Sequence, residues 1–217
     1  AGDIETILPD TQLAWSVNLR DPFGFRVEGP FAVGEAGTTV PKDEKRRFSL
    51  RGRAEVGGSL RAVEKTTGSI RLETLTYREG GLEFSGKDLS ARMEPEGIRL
   101  DAGSILSAGN SVRISGNVSW IGELDVRLDG KVPAAALRLV VPGLFDRLDG
   151  ILTVGVRLTG KLEDPTIVGT ARVEGGTLSF LGYAQLFEEM SAQASISRDK
   201  IVFERFEGRS GGGYLDG

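Results

Sequence analysis

The chain of 217 residues contains no histidine and no cysteine. Without cysteine it has no disulfide and no thiolate chemistry. Without histidine it has no imidazole base, no His-based triad and no His ligand for a metal. We therefore expect no enzymatic activity, no catalytic residue, no cofactor and no metal site. A hydrolase built on paired carboxylates stays open as the enzymatic alternative. Its candidate residues, which we expect at turns or on solvated faces, are Asp125, Asp129, Glu163, Asp164, Glu188 and Glu189.

Long hydrophobic runs and a strong excess of one charge are also missing. No stretch of about 18 apolar residues could cross a membrane as a helix, and no charged-then-apolar leader opens the chain. A net charge of −4 argues against a nucleic-acid partner, because such partners require a basic face. The absent initiator methionine and the glycine-rich end predict a fragment excised from a larger protein, whose membrane contacts and anchor lie in other parts of the parent chain.

Glycine is abundant, with 31 residues, and it recurs inside strand-like alternation. In the stretch from Asp149 to Phe180, apolar residues occupy every second position from Leu152 to Leu158, and Gly160 keeps the same parity, which indicates a strand with one apolar face. Five such strands carry a glycine on that face, at Gly29, Gly52, Gly116, Gly130 and Gly160. A mid-strand glycine marks a bend or a close approach of another group. We interpret the five as bends in a sheet that curls around its apolar face, with clearance for a ligand as the alternative.

The remaining patterns predict an all-β protein with little helix. Residues 34–47 hold a proline and a mixed charge run, which is typical of an exposed loop. Residues 141–148 and 183–190 space their apolar side chains as a helix does, so we predict one or two short helices at the rim of a long antiparallel sheet.

Residues 135–217 resemble the C-terminal region of the TamB family, the inner-membrane subunit of the translocation and assembly module. The family's G-x-L-x-x-x-x-x-L-x-G-x-L-x-x-P-x-x-x-G pattern is carried here by Gly150, Leu152, Leu158, Gly160, Leu162, Pro165 and Gly169. The same alternation extends loosely toward the N-terminus and is shared by the wider AsmA-like group.

The resemblance implies that residues 1–217 are a single β-groove segment, folded like a taco or half-pipe around a lipid-sized apolar groove. It implies a parent protein anchored in the inner membrane of a diderm bacterium and crossing the periplasm. The implied function is to shield phospholipid acyl chains during transport to the outer membrane, as part of outer-membrane biogenesis. The alternative is a scaffold that assembles or secretes outer-membrane β-barrel proteins by β-strand augmentation with an Omp85-type partner.

Strand parity identifies the side chains that would line such a groove. They are Leu124, Val126, Leu128, Leu152, Val154, Val156, Leu158, Leu162, Ala171, Val173, Leu178, Phe180, Ile196, Ile201 and Phe203. All are apolar, which suits sliding of an acyl chain better than tight recognition. The same residues would also serve as the core of a closed β-sandwich, and the sequence alone leaves that rival open.

Overall fold

The computed structural model describes residues 2–3, 14–17, 24–34, 46–59, 61–140, 143–198 and 200–217. In this part of the chain the all-β prediction is confirmed, because fifteen strands form one antiparallel sheet with a single short helical segment. The strands are β1 Gly2–Asp3, β2 Ala14–Val17, β3 Gly24–Gly34, β4 Arg46–Ser59, β5 Ala62–Glu79, β6 Leu82–Lys87, β7 Ser90–Glu94, β8 Gly97–Ser107, β9 Asn110–Ser119, β10 Glu123–Pro133, β11 Phe145–Lys161, β12 Asp164–Phe180, β13 Phe187–Ser197, β14 Lys200–Ser210 and β15 Gly213–Asp216.

The sheet is a meander in which consecutive strands are neighbours. The one departure is at β6 and β7, which both lie between β5 and β8 and together fill one strand position. Asp88 and Leu89 separate them, with Asp88 at a positive φ of 55° and the Leu72 amide donating to the Leu89 carbonyl at 2.9 Å. Short connections of this kind place residues distant in sequence on a single continuous surface.

Strand register separates the side chains into two faces. Residues directly opposite each other in antiparallel strands point to the same side, and Val156 of β11 lies opposite Leu128 of β10 and Gly169 of β12. Alternate positions carry charge, as in the pairing of Arg157 with Arg127. We call the first side the apolar face and the second the polar face.

Glycines on the apolar face allow neighbouring backbones to approach closely. A Cβ atom on Gly116 would lie 2.2 Å from the Asp125 carbonyl oxygen, and one on Gly52 would lie 2.4 Å from that of Arg71. Gly29, Gly130 and Gly160 have φ values of 134°, 148° and 93°, which side chains rarely permit. At Gly52 and Gly116 the backbone of the neighbouring strand fills the space that a side chain would need, so that space is not open to a ligand there.

The helical segment, which we define as residues 134–140, crosses from β10 to β11 and packs on the apolar face. It comprises a 3-10 turn, Ala134–Ala136, and one α-helical turn, Leu137–Val140. Ala134 is completely buried and forms the main core cluster with four side chains of β11, β12 and β13. Those four are Leu148, Leu152, Leu178 and Met190.

Both helix positions predicted from sequence were wrong, and bulges explain the error. Asp146 is an extra residue between paired positions, so Phe145 and Leu148 share the apolar face although they are three residues apart. A second register shift separates Phe187 from Met190, and Glu189 adopts a positive φ of 51° there. One inserted residue converts a spacing of two into three, which imitates the period of a helix.

The predicted loop at 34–47 is shorter at both ends than expected. Gly34 pairs with Ser49, and Arg46 and Arg47 pair with Glu79 and Arg78, so these positions belong to strands. The pairing of β4 with its two neighbours, β3 and β5, extends over these positions. Residues 35–45 lie outside the described part of the chain.

Candidate functional site

The apolar face brings most of the predicted groove residues onto one surface, with a gradient of exposure. Leu124, Leu152 and Leu178 are buried. The half-buried positions are Val126, Leu128, Val154, Val156, Leu158, Ala171, Val173, Phe180 and Ile196. Ile201 and Phe203 have the same facing but are 62% and 66% exposed.

Register arranges these side chains in rows that run across the strands. One row passes from Ile114 through Leu128, Val156 and Gly169 to Ile196 and ends at Ile201. At about 4.8 Å per strand, its five steps span about 24 Å. A row that reaches from β9 to β14 is therefore a continuous apolar strip.

Leu162 does not belong to this surface. β11 ends at Lys161, which pairs with Asp164, so Leu162 lies in the intervening turn and is 62% exposed. Its amide donates to the Gly122 carbonyl at 2.7 Å. Leu162 was predicted to face the groove because it continues the even spacing of Leu158 and Gly160, although the strand has already ended.

Burial does not fit a closed sandwich core. The described strands all belong to one sheet, so no second sheet is available there to cover the apolar face. No large side chain in the described part of the chain is less than 2% exposed, whereas interiors packed from both sides exclude solvent completely. The side chains of the apolar face are therefore only partly shielded from solvent over much of its extent.

The helical segment covers one end of that surface and leaves the other end uncovered. Leu152 and Val173 lie in or against the core cluster, whereas Val126, Val156 and Leu158 lie further along the strands and outside it. The sequence patterns did not predict a helical segment at this position. The only local signal for it was the alanine run at 134–136, since alanine has the highest helix propensity.

The polar face carries cross-strand ion pairs. Arg157 donates from Nε to Asp125 at 2.6 Å, and this hydrogen bond holds the pKa of the Asp125 carboxyl below its usual range. Within β12, Arg172 and Glu174 also approach to 2.8 Å. Exposed ion pairs contribute little stability individually, but their charged groups keep this face of the sheet hydrated.

Carboxylates and guanidinium groups also line a cavity of about 570 Å³ on the polar face, between β3 and β8. Its lining carries three guanidinium groups and three carboxylates, which are those of Arg53, Arg71, Arg92, Glu28, Glu55 and Asp101. Because these charges neutralise one another, the cavity offers no net charge to select a ligand.

Several of the carboxylates considered for a hydrolase form ion pairs. Asp125 binds Arg157, Asp164 binds Arg198 at 3.0 Å, and the described residues contain no cluster of three or more His, Cys, Asp or Glu side chains that could hold a metal. A helix long and apolar enough to cross a membrane is likewise missing from the described residues.

No family model, curated protein or solved structure matches this chain.

Proposed function

We propose that the apolar face holds phospholipid acyl chains, and that the chain is a segment of a periplasm-spanning envelope protein that shields them between the inner and outer membranes. The observation that carries the proposal is a continuous apolar strip, open to solvent, on a sheet whose other face is charged. The location and the transport role come from the resemblance to the TamB family.

The dimensions of the strip suit an acyl chain. One leaflet of a bilayer's hydrocarbon core is about 15 Å thick, half of about 30 Å, and the row from Ile114 to Ile201 spans about 24 Å. Each buried methylene contributes about 0.8 kcal/mol, so ten buried methylenes would contribute about 8 kcal/mol before the cost of association is subtracted. The apolar face is large enough to keep an acyl chain out of water.

The chemistry of the strip favours movement over tight recognition. Val126, Leu128, Val156 and Leu158 are aliphatic and offer no hydrogen-bonding atoms, so each position along the strip is nearly equivalent for a methylene chain. A headgroup would stay in solvent at the rim, because desolvating it without polar partners is costly.

The test compares two carboxylate substitutions on β11. Val156→Asp places a charge between Leu128 and Gly169 on the apolar face, where no cation is opposite it. Thr153→Asp places the same charge on the polar face, between Lys131 and Arg172. Binding is measured by the fluorescence of a phospholipid with an environment-sensitive dye on its acyl chain.

We expect the wild-type chain and Thr153→Asp to bind the labelled phospholipid. We expect Val156→Asp to lose about fivefold to 150-fold in affinity, since an unpaired carboxylate beside the ligand costs about 1–3 kcal/mol. Circular dichroism of each variant checks that the sheet is intact. Equal binding by the two variants, or no binding by the wild type, would refute the lipid function.

A further inference from the structure

The polar face of β4, β5 and β6 carries a concentration of positive charge. Residues 47–53, 71–78 and 83–87 hold eight charged side chains, and strand register together with their ion pairs places all eight on that face. Two are the carboxylates of Glu73 and Glu83. The other six are cations, which we call the basic patch: Arg47, Arg51, Arg53, Arg71, Arg78 and Lys87. Six cations and two carboxylates give this region a positive charge on a chain whose net charge is −4.

Two pairs of arginines face each other between β4 and β5. Arg47 lies directly opposite Arg78, and Arg53 lies directly opposite Arg71. Opposed side chains have Cβ atoms about 5 Å apart, a separation at which like charges destabilise a sheet. The stability of the sheet therefore does not explain why cations occupy these four positions.

The two carboxylates neutralise only part of the basic patch. Glu73 contacts Arg53 at 3.2 Å, and Glu83 contacts Arg78 at 3.0 Å, so each arginine pair has one carboxylate. The exposed arginines that form no ion pair with any described residue are Arg47, Arg51 and Arg71. The region is thus left with guanidinium groups that an external anion can bind.

One arginine pair lines a small cavity that also contains hydroxyl groups. Arg47 and Arg78 surround a space of about 130 Å³ together with Ser49 and Thr76. Guanidinium and hydroxyl groups are both hydrogen-bond donors, and guanidinium groups bind phosphate oxygens through two parallel hydrogen bonds. The cavity is therefore suited to a phosphate group.

The other arginine pair, Arg53 and Arg71, lines the larger cavity on the polar face. Each carboxylate of that cavity is already bound by a different cation. These ion pairs are Arg26 with Glu28 at 2.7 Å, Arg26 with Glu55 at 3.1 Å, and Arg92 with Asp101. Although the cavity is neutral as a whole, Arg71 is available within it for an added anion.

We propose that the basic patch binds the phosphate groups of anionic phospholipids at the surface of a bilayer. Arg47 and Arg53 are six residues apart in an extended strand, so the two arginine pairs lie about 20 Å apart. A bilayer surface presents many separate phosphate groups and can occupy both pairs at once. Clusters of about four to eight basic residues bind such surfaces electrostatically. The proposal requires only headgroups, so it stands whether or not the apolar face binds acyl chains.

The surroundings of the basic patch favour lipid headgroups over a nucleic acid. Proteins bind single strands by stacking bases on aromatic side chains, but Phe48, Tyr77 and Phe84 lie opposite one another on the apolar face. Sequence-specific readers of duplex DNA insert a helix or a two-stranded ribbon into the major groove, whereas the basic patch lies on the broad face of a sheet. Its chemistry therefore matches phosphate groups alone.

Cosedimentation with vesicles measures the binding of the whole chain. We expect binding to vesicles of phosphatidylglycerol, which is anionic, and we expect added salt to weaken it. Binding to vesicles of zwitterionic phosphatidylcholine should be much weaker. Val156→Asp should bind the anionic vesicles as the wild type does, because Val156 lies on the opposite face of the sheet. This variant separates the basic patch from the proposed acyl-chain site.

Removing two unpaired arginines tests the basic patch directly. The double variant Arg51→Gln, Arg71→Gln should bind the anionic vesicles about thirtyfold more weakly, since each cation near such a surface contributes about fivefold. The matched control is Lys131→Gln, Lys161→Gln, which removes the same charge from the polar face of β10 and β11. These lysines lie at least four strand positions from β5, which is about 19 Å and exceeds the screening length of about 8 Å. We expect the control to bind within about twofold of the wild type.

Thermal melting of each variant checks that the sheet is intact. Arg71→Gln removes one pair of opposed like charges, so its melting temperature should equal or exceed that of the wild type. No binding to phosphatidylglycerol vesicles, equal binding to both kinds of vesicle, or equal losses in the two double variants would overturn the proposal. Tighter binding to duplex DNA than to the vesicles would overturn it in favour of a nucleic acid. Loss of vesicle binding in Val156→Asp alone would overturn it by placing the contact on the apolar face.

Discussion

Replacing Gly116 with alanine tests whether the close approach of β9 and β10 requires glycine. Gly116 lies in the middle of β9 with φ of 149°, and an added Cβ would sit 2.2 Å from the Asp125 carbonyl oxygen and 2.7 Å from the Val126 Cα atom. Both contacts are with backbone of β10, which cannot move aside as a side chain can. The substitution must therefore separate β9 from β10 locally.

The expected cost combines backbone strain with displacement of a paired strand. A side chain in this sparsely populated region costs about 1–3 kcal/mol, and partial loss of the ladder at Gly116 adds about 1 kcal/mol. We expect Gly116→Ala to lose about 2–4 kcal/mol of unfolding free energy. For a chain of this size that corresponds to a fall in melting temperature of roughly 5–15 °C.

The matched control is Gly155→Ala in β11. Gly155 does not have a positive φ, and the nearest atom to an added Cβ is a carboxylate oxygen of Asp129 at 3.5 Å. We expect this variant to be neutral or up to about 1 kcal/mol more stable, because alanine restricts the unfolded chain. Equal melting temperatures for the two alanine variants would refute the explanation of the apolar-face glycines.

Two further predictions concern burial and pH. Leu152→Ala should lower the free energy of unfolding by about 2–5 kcal/mol, because it leaves a cavity beneath the helical segment. Leu162→Ala, in an exposed turn, should change it by less than about 0.5 kcal/mol. Chemical denaturation measures both values. The hydrogen bond from Arg92 lowers the pKa of Asp101 below its usual value, so the folded state binds fewer protons than the unfolded state. That stabilisation is present above about pH 4 and is lost as the pH falls through the lowered pKa, and Asp101→Asn should flatten this acid limb of the melting-temperature profile.

The period of two in the sequence predicted the strands and their facing well. Val156 and Arg157 lie on opposite faces as their parity indicated, because a strand can bury only one side and the register of each hairpin preserves that side. A single continuous sheet follows from short turns between successive strands.

Bulges were the main reason that local reasoning failed. Phe145 and Leu148, and again Phe187 and Met190, are three residues apart on one face, and the sequence offers no local mark that distinguishes a bulged strand from a helical turn. Register against the neighbouring strand decides the matter, and that register depends on residues distant in sequence.

The cover over part of the apolar face could not be predicted either. Ala134 is completely buried because β10 and β11 place the helical segment over β12 and β13, a long-range arrangement that composition does not encode. The strip around Val156 is therefore the part of the apolar face that the helical segment does not cover.

The most direct test of the proposed lipid shielding is photo-crosslinking in a diderm bacterium that carries this chain within the longer envelope protein that we propose. A photoreactive residue is placed at Val156 on the apolar face or, separately, at Arg157 on the polar face, and the adducts are identified by mass spectrometry. We predict phospholipid adducts at Val156 and none at Arg157. Protein adducts alone at Val156, or equal lipid labelling at both positions, would contradict it.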